Sequence, residues 1–160
     1  LGPPVFTDKE REYAKKMQST MTFNDIETAY IQAGISEVKE QVLAESILPS
    51  DAQPVGMSGS TDVADVSWVV PTVQLWGANY AIGTPFHSWQ MTAQGKSSIA
   101  IKGMTHAAMV MAATGADVLL NKTLIKKAWS DLRSQIGKEG YISPLLKNSK
   151  PPIKDMAPKS

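Results

Sequence analysis

Val73-Gln74-Leu75-Trp76-Gly77-Ala78-Asn79-Tyr80-Ala81-Ile82 runs directly into Gly83-Thr84-Pro85-Phe86-His87. This stretch decides the fold read from the sequence. Val, Leu, Trp, Tyr and Ile suit a pleated, buried surface, and the run carries no charge. It reads as a buried strand that Gly77 weakens or bulges and that Gly83-Thr84-Pro85 ends in a turn. From Ser97 or Ser98 the period changes. Ile99, Met104, Ala107, Ala108, Met111, Ala112, Gly115, Val118 and Leu119 line one broad helical face. A long helix near 98–120, packed against a strand near 73–82, is therefore expected. The expected class is α/β.

Working outward, the rest of the chain reads as helices and loops. Thr7-Asp8-Lys9-Glu10 is a capping box, so a helix should follow to about Met21. Asn24 reads as the cap of a short helix ending near Gly34, and Ser36 to Ser46 as another with Val38, Val42 and Leu43 inward. Pro49, Asp51 and Pro54 make 48–56 a loop. Ser60 or Thr61 can cap a short helix from Val63 to Val69 that Pro71 ends. Asn121 begins a helix from Lys122 to Ile136, and Gly137 is a good stop. The domain reading is 1–150 as one body and 151–160 as an irregular Pro/Lys-rich tail.

One strand, or two if Gln53 to Met57 is extended, cannot make an independent sheet. Partner strands are expected from outside this chain. Leu1-Gly2-Pro3-Pro4 also reads as a joint inside a longer protein.

Composition narrows the function classes. The 160 residues carry 16 basic and 15 acidic side chains and no basic stripe, which speaks against nucleic acid. The absence of cysteine excludes disulfides, a thiol nucleophile and a cysteine-built zinc site; a cytoplasmic location is expected. The most apolar run, Met104 to Leu120, is interrupted by Thr105, His106, Thr114 and Asp117, so no membrane span is expected.

Few residues can carry chemistry. His87 follows the expected strand, where open α/β sheets bind ligands. It reads either as a metal ligand or as a histidine satisfied by its loop. His106 sits mid-helix among packing residues and reads as structural. Ser58-Gly59-Ser60-Thr61-Asp62, before a helix N-terminus, could take a carboxylate or phosphate; an ordinary N-cap is the simpler reading. Asp62 and Asp65 could share a helix face for acid–base work, or could simply favour the helix start. Gly56-Met57-Ser58-Gly59 lacks the spacing of a serine-hydrolase elbow.

Three ordered motifs carry a resemblance. They are Gly59-Ser60-Thr61-Asp62-Val63-Ala64-Asp65-Val66-Ser67-Trp68, Tyr80-Ala81-Ile82-Gly83-Thr84-Pro85-Phe86-His87-Ser88-Trp89-Gln90 and Ala93-Gln94-Gly95-Lys96-Ser97-Ser98. Together they resemble zinc-dependent amidohydrolases of the aminoacylase and carboxypeptidase group, in the branch that cleaves p-aminobenzoyl-glutamate. The likeness covers about Pro4 to Pro152.

The resemblance implies the C-terminal segment of a catalytic domain, helices on a mostly parallel sheet, with the inserted lid domain absent. It implies two zinc ions per complete enzyme, or manganese. Their bridging aspartate, base glutamate and first histidine would come from the missing N-terminal half, and His87 would be the last metal ligand. Ser58, Gly59, Ser60 and Thr61 would hold the substrate carboxylate, with Asp62 and Asp65 shaping that loop. The substrate would be a small amide with a free carboxylate. A second hydrolase subunit and a homo-oligomer are implied partners. Ile101 stands where relatives carry a histidine. Alone, the chain is expected to be inactive. The alternative is a non-catalytic module for subunit interaction or carboxylate binding.

Overall fold

Thr7 caps its helix as a reciprocal box. Its hydroxyl accepts from the Glu10 amide, and the Glu10 carboxylate reaches back to the Thr7 N–H at 2.6 Å. That helix, α1 (Asp8–Gln18), opens a fold given by a computed structural model that describes residues 1–48, 52 and 61–153. Five more helices follow: α2 (Phe23–Gln32), α3 (Val63–Ser67), α4 (Trp89–Gln94), α5 (Ser98–Leu120) and α6 (Lys122–Ile136). Two compact units divide the chain. The first is Leu1–Ser60 with Val73–Lys122, and the second is Thr61–Thr72 with Thr123–Ser160.

The first unit holds α1, α2, α4 and α5. Its core is Phe6, Ala14, Met17, Leu43, Ala81 and Ile99, with Tyr13, Met21, Val42 and Ala78 packed against it. A half-buried ion pair links α1 to α5. The Lys102 ammonium of α5 reaches the buried Glu10 carboxylate at 2.7 Å and the Val5 carbonyl at 3.0 Å. It also lies 5.9 Å from the Phe6 ring centre. In the second unit, the hydroxyl of Tyr141, beyond the end of α6, donates to Asp65 of α3, and within α6 Arg133 stacks on Trp129 at 5.7 Å.

The α/β expectation is overturned. Among the described residues there are six helices and no strand. Residues 71–79 have no regular structure. At the start of the run the side chains expected to be buried are not: Val73 is 81% exposed and Trp76 53%. Composition records a preference for burial, but a strand also needs a neighbour for its N–H and C=O groups. The stretch packs instead through its small residues. A Cβ at Gly103 would overlap the Ala78 carbonyl and the Asn79 side chain, so α5 lies directly on this backbone. The Asn79 side-chain oxygen Oδ1, buried in that contact, has no hydrogen-bond partner.

Two local expectations also change. No helix forms at 36–46, although Leu43 is fully buried as expected. Its carbonyls are engaged elsewhere: Tyr30 Oη donates to Lys39, Gln18 Nε2 to Gln41 and the Ile82 amide to Val42. Thr22, not Asn24, caps α2, again through a reciprocal box with Asp25. The long helix at 98–120, capped by Ser97, and the helix from Lys122 to Ile136 form as read. Gly34 and Gly137 adopt positive φ after their helices. The possible strand at 53–57 and the tail from 154 lie outside the described residues, as does most of the 48–56 loop.

Candidate functional site

His87 has φ of +59°, the only positive φ among the described non-glycine residues. Histidine is among the side chains that tolerate this region, but holding it there costs free energy unless the surroundings over-determine it. They do. Ala81 lies at the bottom of the turn, fully buried. Its amide donates to Gln94 Oε1 at 2.8 Å, and its carbonyl accepts from Thr84 Oγ1 at 2.6 Å. Gln94, itself 1% exposed, closes the ring by donating from Nε2 to Thr84 Oγ1 at 2.9 Å. Gly83 fits below, at φ +90°, against Ile26; a Cβ would come within 2.8 Å of that side chain. On the far side Ser88 caps α4, accepting from the Met91 amide and donating to the Pro85 carbonyl at 2.6 Å. His87 is thus clamped between a buried amide ring and a helix cap.

The imidazole itself is exposed, as are Phe86 and Trp89 on either side. Phe86 meets Tyr80 edge to face, with ring centres 6.1 Å apart. Burial pushes the Tyr80 hydroxyl's pKa up, so it remains a neutral phenol beside the turn. The turn therefore presents a histidine on a fixed backbone within an aromatic surround.

Ser58, Gly59 and Ser60 lie outside the described residues. Thr61 Oγ1 accepts from the Val63 amide at 3.3 Å, at the start of α3. Asp62 occupies the α3 N-cap position without a side-chain cap bond, and Asp65 accepts from Tyr141 Oη. That hydrogen bond to the Asp65 carboxylate raises the Tyr141 pKa. Thr61, Asp62 and Asp65 belong to the second unit, and His87 to the first. His106 Nε2 pairs with the Gly2 carbonyl at 2.6 Å, which makes that nitrogen the protonated one. Ile101 is 54% exposed on α5. A cleft of about 640 Å³ between α1 and the start of α5 is lined by Thr7, Lys9, Glu10, Tyr13, Lys96 and Ser98, and by none of the predicted site residues.

A zinc site takes at least three protein ligands. Among the described residues no three His, Asp or Glu side chains converge on a possible metal position. The described residues do not by themselves fit a metal, and no metal-dependent step is assigned to them. Sequence reasoning gave Gln94 no role of its own and missed α4. Ser88, three residues before Met91, is the cap signal that could have found the helix. The partner of Gln94 is set only by the fold.

Comparison with known proteins supplies one relation. The chain is 34% identical to the B-type chain of p-aminobenzoyl-glutamate hydrolase from Escherichia coli (strain K12), over 96% of its own length. It spans about a third (34%) of the length of that relative. No protein-family model matches the chain, and no solved structure matches it.

Proposed function

We propose that this chain is the His87-bearing part of an amidohydrolase acting on p-aminobenzoyl-glutamate or a related N-acyl amino acid. The observation that carries this reading is the similarity to a hydrolase along 96% of the chain. The turn at His87 supports it: an exposed imidazole, held against the left-handed cost by a buried amide ring, is the kind of strained residue that functional sites retain. In this reading His87 offers one ring nitrogen to a zinc or manganese whose other ligands lie outside the described residues. Ser58 to Thr61 would hold the substrate's carboxylate and so orient the amide. The E. coli relative is named as one of the subunits of its hydrolase, which supports a partner subunit for this chain as well.

The test is turnover. The purified 160-residue chain, with zinc or manganese added, should release no p-aminobenzoate from p-aminobenzoyl-glutamate. Supplying the segment of the E. coli relative that this chain does not span should produce release, and His87→Ala should abolish it. Turnover by the chain alone, or turnover insensitive to His87→Ala, overturns the reading.

A further inference from the structure

Phe86 and Trp89 stand on either side of His87 and turn to solvent, 45% and 61% exposed. Their backbones are fixed. The Pro85 carbonyl before Phe86 accepts from Ser88 Oγ at 2.6 Å, and Trp89 is the first residue of α4, directly after the Ser88 cap. The Phe86 ring is held as well, against Tyr80 at an interplanar angle of 85°. In such an edge-to-face pair at least one face of Phe86 is left uncovered by Tyr80. Trp89 makes no ring or cation contact among the described residues. Rings of this size gain most from contact with another flat apolar surface. Here two of them are displayed on one over-determined turn.

We propose that Phe86 and Trp89 form the platform for the aromatic ring of the substrate's acyl group, and so select benzoyl-type amides over straight-chain acyl amides. The inference rests on the amidohydrolase reading for the choice of ligand. In a benzoyl-type amide the scissile carbonyl is bonded directly to the ring. A site that acts on that carbonyl at His87 therefore brings the ring to the side chains next to His87, which are Phe86 and Trp89. Aromatic pairs gain beyond the area they bury, at ring-centre distances of about 4.5–7 Å; a straight acyl chain has no π face and gains burial alone. The size also fits. The exposed parts of the two side chains add up to roughly 200–250 Å², enough to receive one ring. A protein partner needs roughly 800 Å² on each side.

A larger exposed apolar surface lies on the outer arc of α5, where Met104, Met111, Leu119 and Leu120 are 62%, 60%, 81% and 85% exposed. This helix is long and apolar enough to cross a bilayer, contrary to the expectation from its interrupting polar residues. A spanning α5 would, however, carry into lipid Asp117, Lys102 of the Glu10 pair and His106, which holds the Gly2 carbonyl. The arc has no Phe, Tyr or Trp, and nothing in the structure distinguishes what covers it. The rings beside His87 differ in both respects: they are flat, and they adjoin the one side chain to which chemistry is assigned.

The test titrates the metal-free 160-residue chain with p-aminobenzoyl-glutamate and with hexanoyl-glutamate, following saturation transfer to the ligand protons by NMR. Both ligands carry the same glutamate, so the difference isolates the acyl group. p-Aminobenzoyl-glutamate should bind roughly fivefold more tightly, and Phe86→Leu and Trp89→Leu should each weaken it roughly fivefold. Trp76→Leu removes a tryptophan of similar exposure, 53%, and should leave the affinity unchanged. All three side chains are exposed, so the helical circular dichroism should not change, which separates lost binding from lost folding. The inference is overturned by no binding, by equal binding of the two ligands, by binding indifferent to both Phe86→Leu and Trp89→Leu, or by an equal loss in Trp76→Leu. Selective binding by a chain that gives no turnover with the supplied E. coli segment overturns the proposed function and leaves this inference standing. Turnover that depends on His87 but does not distinguish the two acyl groups overturns this inference and leaves the proposed function standing.

Discussion

Replacing Lys102 by methionine should destabilise the first unit and change its response to acid. Glu10 is 6% exposed and its carboxylate receives Lys102 Nζ at 2.7 Å, the Thr7 amide at 2.6 Å and the Thr7 hydroxyl at 2.9 Å. The Lys102 hydrogen bond, helped by the Thr7 amide and opposed by burial, holds the Glu10 pKa at about 2 against an ordinary 4.5. A depression of that size corresponds to about 3 kcal/mol. The lysine side chain is 38% exposed, and solvent screening brings the pair's share to roughly 2 kcal/mol. The folded carboxyl is the stronger acid, so the unfolded chain takes up the proton first as pH falls. The contribution is therefore full above about pH 4.5 and is lost as pH falls towards 2. In Lys102→Met the carboxylate stays buried with the Thr7 donors and the Ser98 hydroxyl but no cation. Urea denaturation followed by circular dichroism at pH 7 should show a loss of about 2 kcal/mol, and the same measurement from pH 5 to 2 a flatter acid limb than in the parent chain. The double variant Glu10→Gln/Lys102→Met should recover part of the loss, because no buried charge remains. A loss below about 0.5 kcal/mol with an unchanged acid limb would refute the assignment.

Gln94→Leu should strip the Ala81 amide and Thr84 hydroxyl of their partner, costing about 1–3 kcal/mol; hydrogen exchange at the Ala81 amide should speed up, and unchanged protection would count against the ring. Gly103→Ala should lower the melting temperature, by an overlap with the Ala78 carbonyl worth about 1–3 kcal/mol; an unchanged melting temperature would mean α5 does not lie on that backbone. At His87, a β-branched Val should cost about 1–2 kcal/mol at φ +59°, whereas Gly should be tolerated without loss; equal stabilities of the two variants by chemical denaturation would argue against the left-handed turn.

The helices are legible where two local signals coincide. Thr7 with Glu10, Ser97 with the apolar period that follows, and Gly137 after Ile136 each mark an end by chemistry that acts within one turn of backbone. The period at 36–46 gives no helix, because the Tyr30 and Gln18 side chains claim carbonyls of that segment from elsewhere in the chain. The candidate site divides in the same way. His87 stands out from residue type and its Gly-Thr-Pro turn alone. The Gln94 ring that holds it joins residues 10 to 13 apart, a pairing that no local pattern encodes.

By itself the sequence determined the starts of α1, α5 and α6, the turn before His87, the lack of a basic run and the likeness to a hydrolase, since each depends on neighbours along the chain or on residue order. Only the tertiary structure decided that residues 73–79 form no strand, that α5 leaves an apolar arc uncovered, and that Glu10 both caps α1 and pairs with Lys102, 92 positions away. The physical reason is that burial and pairing belong to two surfaces at once. Val73 and Leu75 state a preference for apolar surroundings, but a preference becomes a strand only when another backbone supplies the facing N–H and C=O groups.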